Sequence, residues 1–300
     1  MKKIYMAGAG GMLGLAFFKE FKNHYELIAS DIDVNEDWLQ KLDFRDYDLY
    51  KKEVSNFSPD WLFHLGAYTD LEHCELNSTD TYLTNTESVK HATKISNELN
   101  VPLLYVSTAG IFDGKKDTYD ETDLPVPLGH YGNSKFLGEV HVQENCNDFI
   151  ICRAGWMMGG GERKDKKFIQ KLIKQIDQGK SELFVVDDKD GTPTYTHDFA
   201  KNTKALIESS HRGLFNMVCG GLTSRYEVAT ELLEILGLSD KIKINKVSSE
   251  YFKEEYFAER PACERLVNKR LNDLNINLMR DWKVALRDCI KEYYKEKIFS

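Results

Sequence analysis

The chain has 300 residues, 42% of them hydrophobic and 29% charged, with a formal net charge of -8 at pH 7. That balance suits a globular enzyme and excludes general nucleic-acid binding, which needs a basic face. An anionic small molecule remains compatible with it, because a local basic pocket can operate inside an acidic surface.

The first apolar run has the outline of a secretory signal, with Lys2-Lys3 ahead of Ile4 to Phe18. Four glycines interrupt it, and it continues directly into Lys19-Glu20-Phe21-Lys22. A strand, a turn and a helix account for all of these features. No later segment approaches about 18 uninterrupted apolar residues, the length a membrane helix requires. The six cysteines show no C-x-x-C spacing, and a chain this long does not need disulfides to fold. They read as reduced packing residues of a cytoplasmic protein.

Up to about Arg153, short apolar runs alternate with longer amphipathic ones. Strands are predicted at Lys3–Ala7, Glu26–Ser30, Asp60–Leu65, Pro102–Ser107 and Phe149–Arg153, with helices over Met12–Lys22, Asp80–Leu99 and Tyr131–Glu144. Such alternation implies a parallel sheet covered on both faces, with ligands at the carboxyl ends of its strands. After Trp156 the texture changes. Gly159-Gly160-Gly161 reads as a flexible joint, and the charged run Glu162 to Lys167 opens an amphipathic helix through Gln178. A strand at Leu183–Val186, a turn at Gly191-Thr192-Pro193-Thr194, a helix from His197 and a strand at Leu214–Val218 follow. Tyr226–Leu236 and Trp282–Tyr294 read as helices. The expected fold is α/β: a Rossmann-type doubly wound parallel sheet over residues 1–156, to which segments near 192–220 return. A smaller α/β substrate-binding domain over 157–300 is interleaved with it.

The first predicted strand runs into Gly8-Ala9-Gly10-Gly11-Met12-Leu13-Gly14. In Gly8-x-x-Gly11-x-x-Gly14, one glycine permits the tight strand exit and another lets a pyrophosphate approach the backbone. The third allows close helix packing, and the free N–H groups of the helix start, at Met12, Leu13 and Gly14, can hold phosphates. A lone glycine motif is weak, but this one has the required strand before it and helix after it. Asp31 ends the second strand 17 residues beyond Gly14, where a carboxylate can bind ribose hydroxyls. Asp31 and Asp33 would repel a 2′-phosphate, which favours NAD(H) over NADP(H). Asp43 and Phe44 can flank the adenine, and Leu65-Gly66-Ala67-Tyr68 passes near the cofactor from another strand end. Asn85 falls on the helix that follows.

The pattern Tyr-x-x-x-Lys occurs at Tyr47/Lys51, Tyr131/Lys135 and Tyr293/Lys297. Only Tyr131/Lys135 follows a strand ending in Ser107-Thr108, and its two side chains share one helix face. A phenol with a pKa of about 10 can be brought toward 7 by a neighbouring ammonium and an oxidised nicotinamide. It can then act as a proton relay to a carbonyl, with Thr108 positioning the oxygen.

These residues resemble the extended short-chain dehydrogenases/reductases, and more narrowly the dTDP-4-dehydrorhamnose reductase family. The likeness runs through the glycine turn, Gly66-Ala67-Tyr68-Thr69, Ser107-Thr108, Ile111-Phe112-Asp113-Gly114 and Tyr131-Gly132-x-x-Lys135. It continues through Arg153-Ala154-Gly155-Trp156, Asp188 to Thr194, and Arg260-Pro261. It implies an NAD(P)H-dependent reductase of a nucleotide-linked 4-keto-6-deoxy sugar, with Thr108, Tyr131 and Lys135 as its catalytic group. Trp156, Thr69 and Arg260 would lie on the substrate side, and Arg163, Lys164, Lys166 and Lys167 could grip a nucleotide diphosphate. One departure stands out: the family usually reads Ser-Thr-Asp-Tyr where this chain has Ser107-Thr108-Ala109-Gly110, which opens the identity of the sugar. A non-catalytic NAD(P)-binding regulatory subunit and a sugar-nucleotide epimerase are the alternatives. His64, His130 and His197 show no ligand spacing, so no metal site is assigned. The reading calls for a nucleotide-sugar partner, no nucleic acid and no membrane, and leaves room for a homodimer.

Overall fold

In a computed structural model that describes residues 1–298, strand β1 (Lys3–Ala7) is hydrophobic and buried from Ile4 to Ala7. That is what a strand between two helical layers must be. The others in its sheet are β2 (Glu26–Asp31), β3 (Leu39–Lys41), β4 (Trp61–His64), β5 (Leu103–Thr108), β6 (Phe149–Ala154) and a late strand, Gly213–Asn216. All pair in parallel, and across the sheet the order is Gly213–Asn216, β6, β5, β4, β1, β2, β3. The chain runs outward from β1 to β3, then returns to β4 on the other side of β1. The order therefore reverses between β1 and β4, and a crevice opens at their carboxyl ends.

One face of the sheet is covered by helix α1 (Met12–Phe21) and the helix Thr196–Glu208, with Phe17 stacked on Phe199 at 6.1 Å. Tyr5, Tyr50, Val89, Tyr105 and Val142 pack on the opposite face. The late strand and the helix before it thus complete the N-terminal sheet. The Trp156–Met158 strand pairs with Pro193–Tyr195, and Asp190–Gly191 pairs with both Thr223–Ser224 and Cys263–Glu264.

Four local features depart from expectation. Strand β3 is too short to show a period and was not expected. The helix expected over Asp80–Leu99 is a short helix at Ser78–Tyr82, a π-turn at Leu83–Glu87 and a helix at Ser88–Leu99. The three glycines 159–161 form a packed turn, all with positive φ, in which the Cβ that Gly160 lacks would lie 3.1 Å from Met12 Cγ. Beyond it the charged run is a short helix, Gly161–Lys164, that breaks before Phe168–Asp177. Buried Asp165 accepts the Lys167 N–H at 2.7 Å at that break.

Candidate active site

The glycine turn is built by close backbone contacts. Gly8 has φ +76°, and a Cβ there would lie 2.2 Å from Gly66 Cα. A Cβ on Gly14 would lie 2.0 Å from the Ala9 carbonyl oxygen. Gly11 is the N-cap of α1 without a side-chain cap, and a Cβ on it would meet nothing within 4 Å. The first-turn N–H groups, those of Met12 and Leu13 among them, lack intrahelical acceptors. Asp31 reaches this turn and accepts from Gly10 N at 2.8 Å and Asp33 N at 2.9 Å. Gly10 was not among the expected residues, although the Gly10-Gly11 doublet was there to be read. Its missing Cβ is what admits the Asp31 carboxylate.

The end of β4 closes the other side. Leu65 donates to Ala7 O at 2.9 Å, and Gly66 faces Gly8. Phe44 lies edge-on to His64 at 4.9 Å and presses on the bare face of Gly66. Asp43 is engaged within the chain: Arg45 grips its carboxylate at 2.7 to 3.0 Å and holds its pKa below the usual carboxylate value. Arg45 also reaches Asp80 at 2.8 Å. Asn85 is fully buried in the π-turn, a feature frequent at functional sites. It accepts from Tyr68 N at 2.8 Å and donates to Tyr68 O at 3.0 Å and Ser134 Oγ at 3.1 Å. Ser134 Oγ in turn donates to Tyr131 O at 2.9 Å. One amide side chain therefore ties the Ala67-Tyr68 loop to the helix that carries Tyr131.

That helix, Gly129–Asn145, presents Tyr131 and Lys135 one turn apart. Thr108 ends β5 and accepts from Gly110 N at 3.1 Å. A Cβ on Gly110 would lie 3.3 Å from Tyr131 Cε1 and 3.5 Å from both Thr108 Oγ1 and Glu264 Oε1. The three groups converge on the place of a missing side chain. Glu264 comes from a distant strand and accepts from Trp156 Nε1 at 2.8 Å, while Gly191 abuts the indole, where a Cβ would lie 2.2 Å from Cε2. Tyr131, Thr108 and Trp156 are thus brought together, with Glu264 as an unexpected fourth member.

Burial dominates the electrostatics. It pushes the Tyr131 phenol up to about 12, opposed by a hydrogen bond with Thr108 and reinforced by the Glu264 charge. The phenol therefore keeps its proton through neutral pH, the form needed to give it to a developing alkoxide. Burial pushes Lys135 down to about 7, with Glu139 acting in the opposite sense. Its ammonium donates to Val106 O at 2.7 Å and lies 4.3 Å from the Tyr105 ring centroid. The expected lowering of the phenol by Lys135 is not seen: burial sets the direction, and the group that opposes it is Thr108.

This predicts a stability effect with a definite sign. Lys135 titrates at about 7 when folded and at about 10.4 when unfolded. The unfolded chain binds more protons between those values, so this group makes stability rise with pH across that window. Lys135→Met is expected to melt above the wild type at pH 6 and to lose that advantage by about pH 10. Parallel melting temperatures of the two proteins across that range would refute the assignment.

The other expected residues divide. Thr69 accepts from Lys167 Nζ, at 2.8 Å on its carbonyl and 2.9 Å on its hydroxyl. Arg260 pairs with Glu72 at 2.7 Å. Lys164 lies toward the glycine turn and donates to Gly10 O at 2.9 Å and Asn35 Oδ1 at 2.8 Å, while Arg163 reaches Asn35 and Glu36. Lys166 is exposed. The rival pairs lie elsewhere: Lys51 and Tyr47 both bind Glu98, and Tyr293 binds His197. His64 is buried between Tyr50 and Ser88. Among the described residues no group of three His, Cys, Asp or Glu side chains could hold a metal ion, and no helix is long and apolar enough to cross a membrane.

The whole chain has relatives. The spore coat polysaccharide biosynthesis protein SpsK of Bacillus subtilis (strain 168) is 30% identical over 97% of this chain and 98% of that protein. The dTDP-4-dehydrorhamnose reductase of Escherichia coli (strain K12) is 27% identical over 97% and 98%. The crystal structure of dTDP-4-dehydrorhamnose reductase from Bacillus anthracis str. Ames in complex with NADP superposes with a TM-score of 0.89 at 26% identity, covering 97% of this chain and 100% of that one. The family model described as RmlD substrate binding domain matches residues 1–295, and the chain belongs to that family.

Proposed function

We propose that this protein is an NAD(P)H-dependent reductase of a nucleotide-linked 4-keto-6-deoxy sugar. The observation that carries the reading is the convergence of a protonated phenol, a threonine hydroxyl and the Glu264 carboxylate around Gly110, with Trp156 bonded to the other oxygen of that carboxylate. Relatives named dTDP-4-dehydrorhamnose reductase support it. A nicotinamide dinucleotide fits the glycine turn: Gly11 leaves the helix start open, and among the described residues no side chain caps the first-turn N–H groups. When bound, that cofactor supplies the hydride.

The chain's own residues supply the rest. Thr108 holds the carbonyl oxygen of the substrate, and Tyr131 hands its proton to that oxygen as it becomes an alkoxide. Lys135, anchored on Val106 O, holds the end of β5 against the Tyr131 helix. Trp156 forms a wall for the sugar, with Thr69 and Arg260 on the same side of the crevice. The cofactor unit is residues 1–156 with the 192–220 segment returned to it; the remainder of 157–300 binds substrate. The pairing of β6 with Gly213–Asn216 and of Trp156–Met158 with Pro193–Tyr195 supports that division. Six buried, unpaired cysteines support a reducing, cytoplasmic setting.

Asp31, at the end of β2 and against Gly10 N, supports NADH over NADPH, because a carboxylate there accepts from a ribose hydroxyl and repels a phosphate. The test is oxidation of NADH and of NADPH by the purified protein with a panel of dTDP-4-keto-6-deoxy sugars. Turnover is expected with a higher kcat/KM for NADH, and Asp31→Ala should narrow the difference. Cofactor binding without oxidation of either would sink the reductase reading.

A further inference from the structure

Arg225 differs from every other arginine of the chain. Arg45, Arg153, Arg163, Arg212, Arg260, Arg265, Arg280 and Arg287 each reach a carboxylate, and Arg270 reaches backbone carbonyls. The Arg225 guanidinium has no hydrogen bond and no ion pair among the described residues. It lies 3.7 Å from the Trp156 ring centroid and 4.8 Å from that of Phe168. Its backbone is fixed: Arg225 opens the helix Arg225–Leu236 behind a capping box of Ser224 and Glu227, and its N–H donates to Lys189 O at 3.1 Å. A guanidinium carries five N–H donors, and leaving them unpaired in a half-buried site is costly.

Its neighbours deepen the imbalance. Burial pushes Arg225 down to about 10, with Arg260 adding to the effect and Glu264 opposing it. Burial also lowers Lys167; the charges of Asp70 and Asp165 oppose that shift, and those of Lys171 and Arg225 add to it. Arg260 is neutralised by Glu72, whereas among the described residues the Lys167 ammonium hydrogen-bonds only to the oxygens of Thr69. Two cations without a carboxylate in contact therefore share one crevice of a chain whose net charge is -8. An anion placed between them relieves both.

Geometry says which part of a substrate that anion is. The Trp156 indole is the divider: Arg225 lies over its face, and its Nε1 holds Glu264, whose other oxygen stands beside Gly110 next to Tyr131. In a pyranose, C1 and C4 are opposite corners. A carbonyl at C4 delivered to Tyr131 puts the substituent of C1 on the far side of the ring. We propose that Arg225, with Lys167, binds the diphosphate of the nucleotide sugar, its guanidinium plane preset by stacking on Trp156. This rests on the nucleotide-sugar reading and adds the residues that recognise the charged half of that substrate.

The test is calorimetric binding of dTDP, UDP and thymidine to the full-length wild type, Arg225→Gln, Arg225→Lys and Lys167→Met. The wild type is expected to bind a nucleoside diphosphate far better than thymidine, and less so as salt rises. Arg225→Gln should weaken the diphosphate by roughly 10- to 100-fold, the range for a charge-assisted hydrogen bond, and leave thymidine and NADH binding unchanged. Arg225→Lys should recover part of the loss, since the charge returns without the planar fork, and Lys167→Met should weaken the same ligand independently. Wild-type dTDP affinity in Arg225→Gln overturns the assignment. A wild type that binds neither dTDP nor UDP removes the nucleotide-sugar reading itself, a distinct failure.

Discussion

Tyr131→Phe is expected to lower kcat by roughly 100- to 10,000-fold, the range for loss of a positioned general acid, while cofactor affinity stays at the wild-type value. The substitution deletes one hydroxyl and keeps the ring that packs beside Gly110, so the effect isolates proton delivery. The pH profile is a second signature. A phenol held up to about 12 by burial remains an acid across the neutral and mildly alkaline range. Reduction should therefore show no alkaline limb from this group until pH approaches that value, and any limb near 7 belongs to Lys135. Steady-state rates of both proteins from pH 6 to 10 (roughly the span of the unperturbed His and Tyr values) decide the matter. Undiminished turnover by the Phe variant would mean that water or another group delivers the proton.

What could be read in the sequence was what depends on near neighbours. Glycines at intervals of three after an apolar run specify a strand–turn–helix corner, because Gly8 and Gly14 are the positions where a Cβ would strike backbone. Tyr131 and Lys135 are one turn apart, and the strand end at Thr108 separates them from their rivals. The features that were not legible depend on contacts between distant parts of the chain. Glu264 meets Trp156 across 108 residues, and no spacing announces it. Arg225 looks like the first turn of an ordinary helix until its lack of a carboxylate becomes visible. The sequence places Asn85 only on the helix that follows, because a π-turn leaves no periodic mark and only its contacts with Tyr68 and Ser134 show it buried. The grip of Arg45 on Asp43 is likewise absent from the order of residues, because it depends on a rotamer.

The largest expected loss of stability lies beneath the same helix. Glu139 is 0% exposed and accepts from Arg153 Nε at 3.0 Å and Nη2 at 2.5 Å; the Arg153 side chain is 2% exposed. The guanidinium carbon lies 5.3 Å from the Phe112 ring centroid, and Nη1 has no partner. With water excluded, neither charge can be left alone. Glu139→Ala strands the guanidinium and should cost about 3–5 kcal/mol, a fall in Tm of order 10 °C for a chain of this size. Removing both charges together is different, because an apolar replacement of a buried pair is often neutral or stabilising. Glu139→Ala with Arg153→Met should therefore melt well above Glu139→Ala alone. If the two melt together, the cost is lost packing rather than an orphaned charge. The pair also bears on chemistry: Glu139 acts to raise Lys135, so its loss deepens the depression of that ammonium. In Glu139→Gln, a milder change, the limb assigned to Lys135 should move to lower pH even where the fold survives. A limb that stays in place would separate the buried pair from the proton chemistry above it.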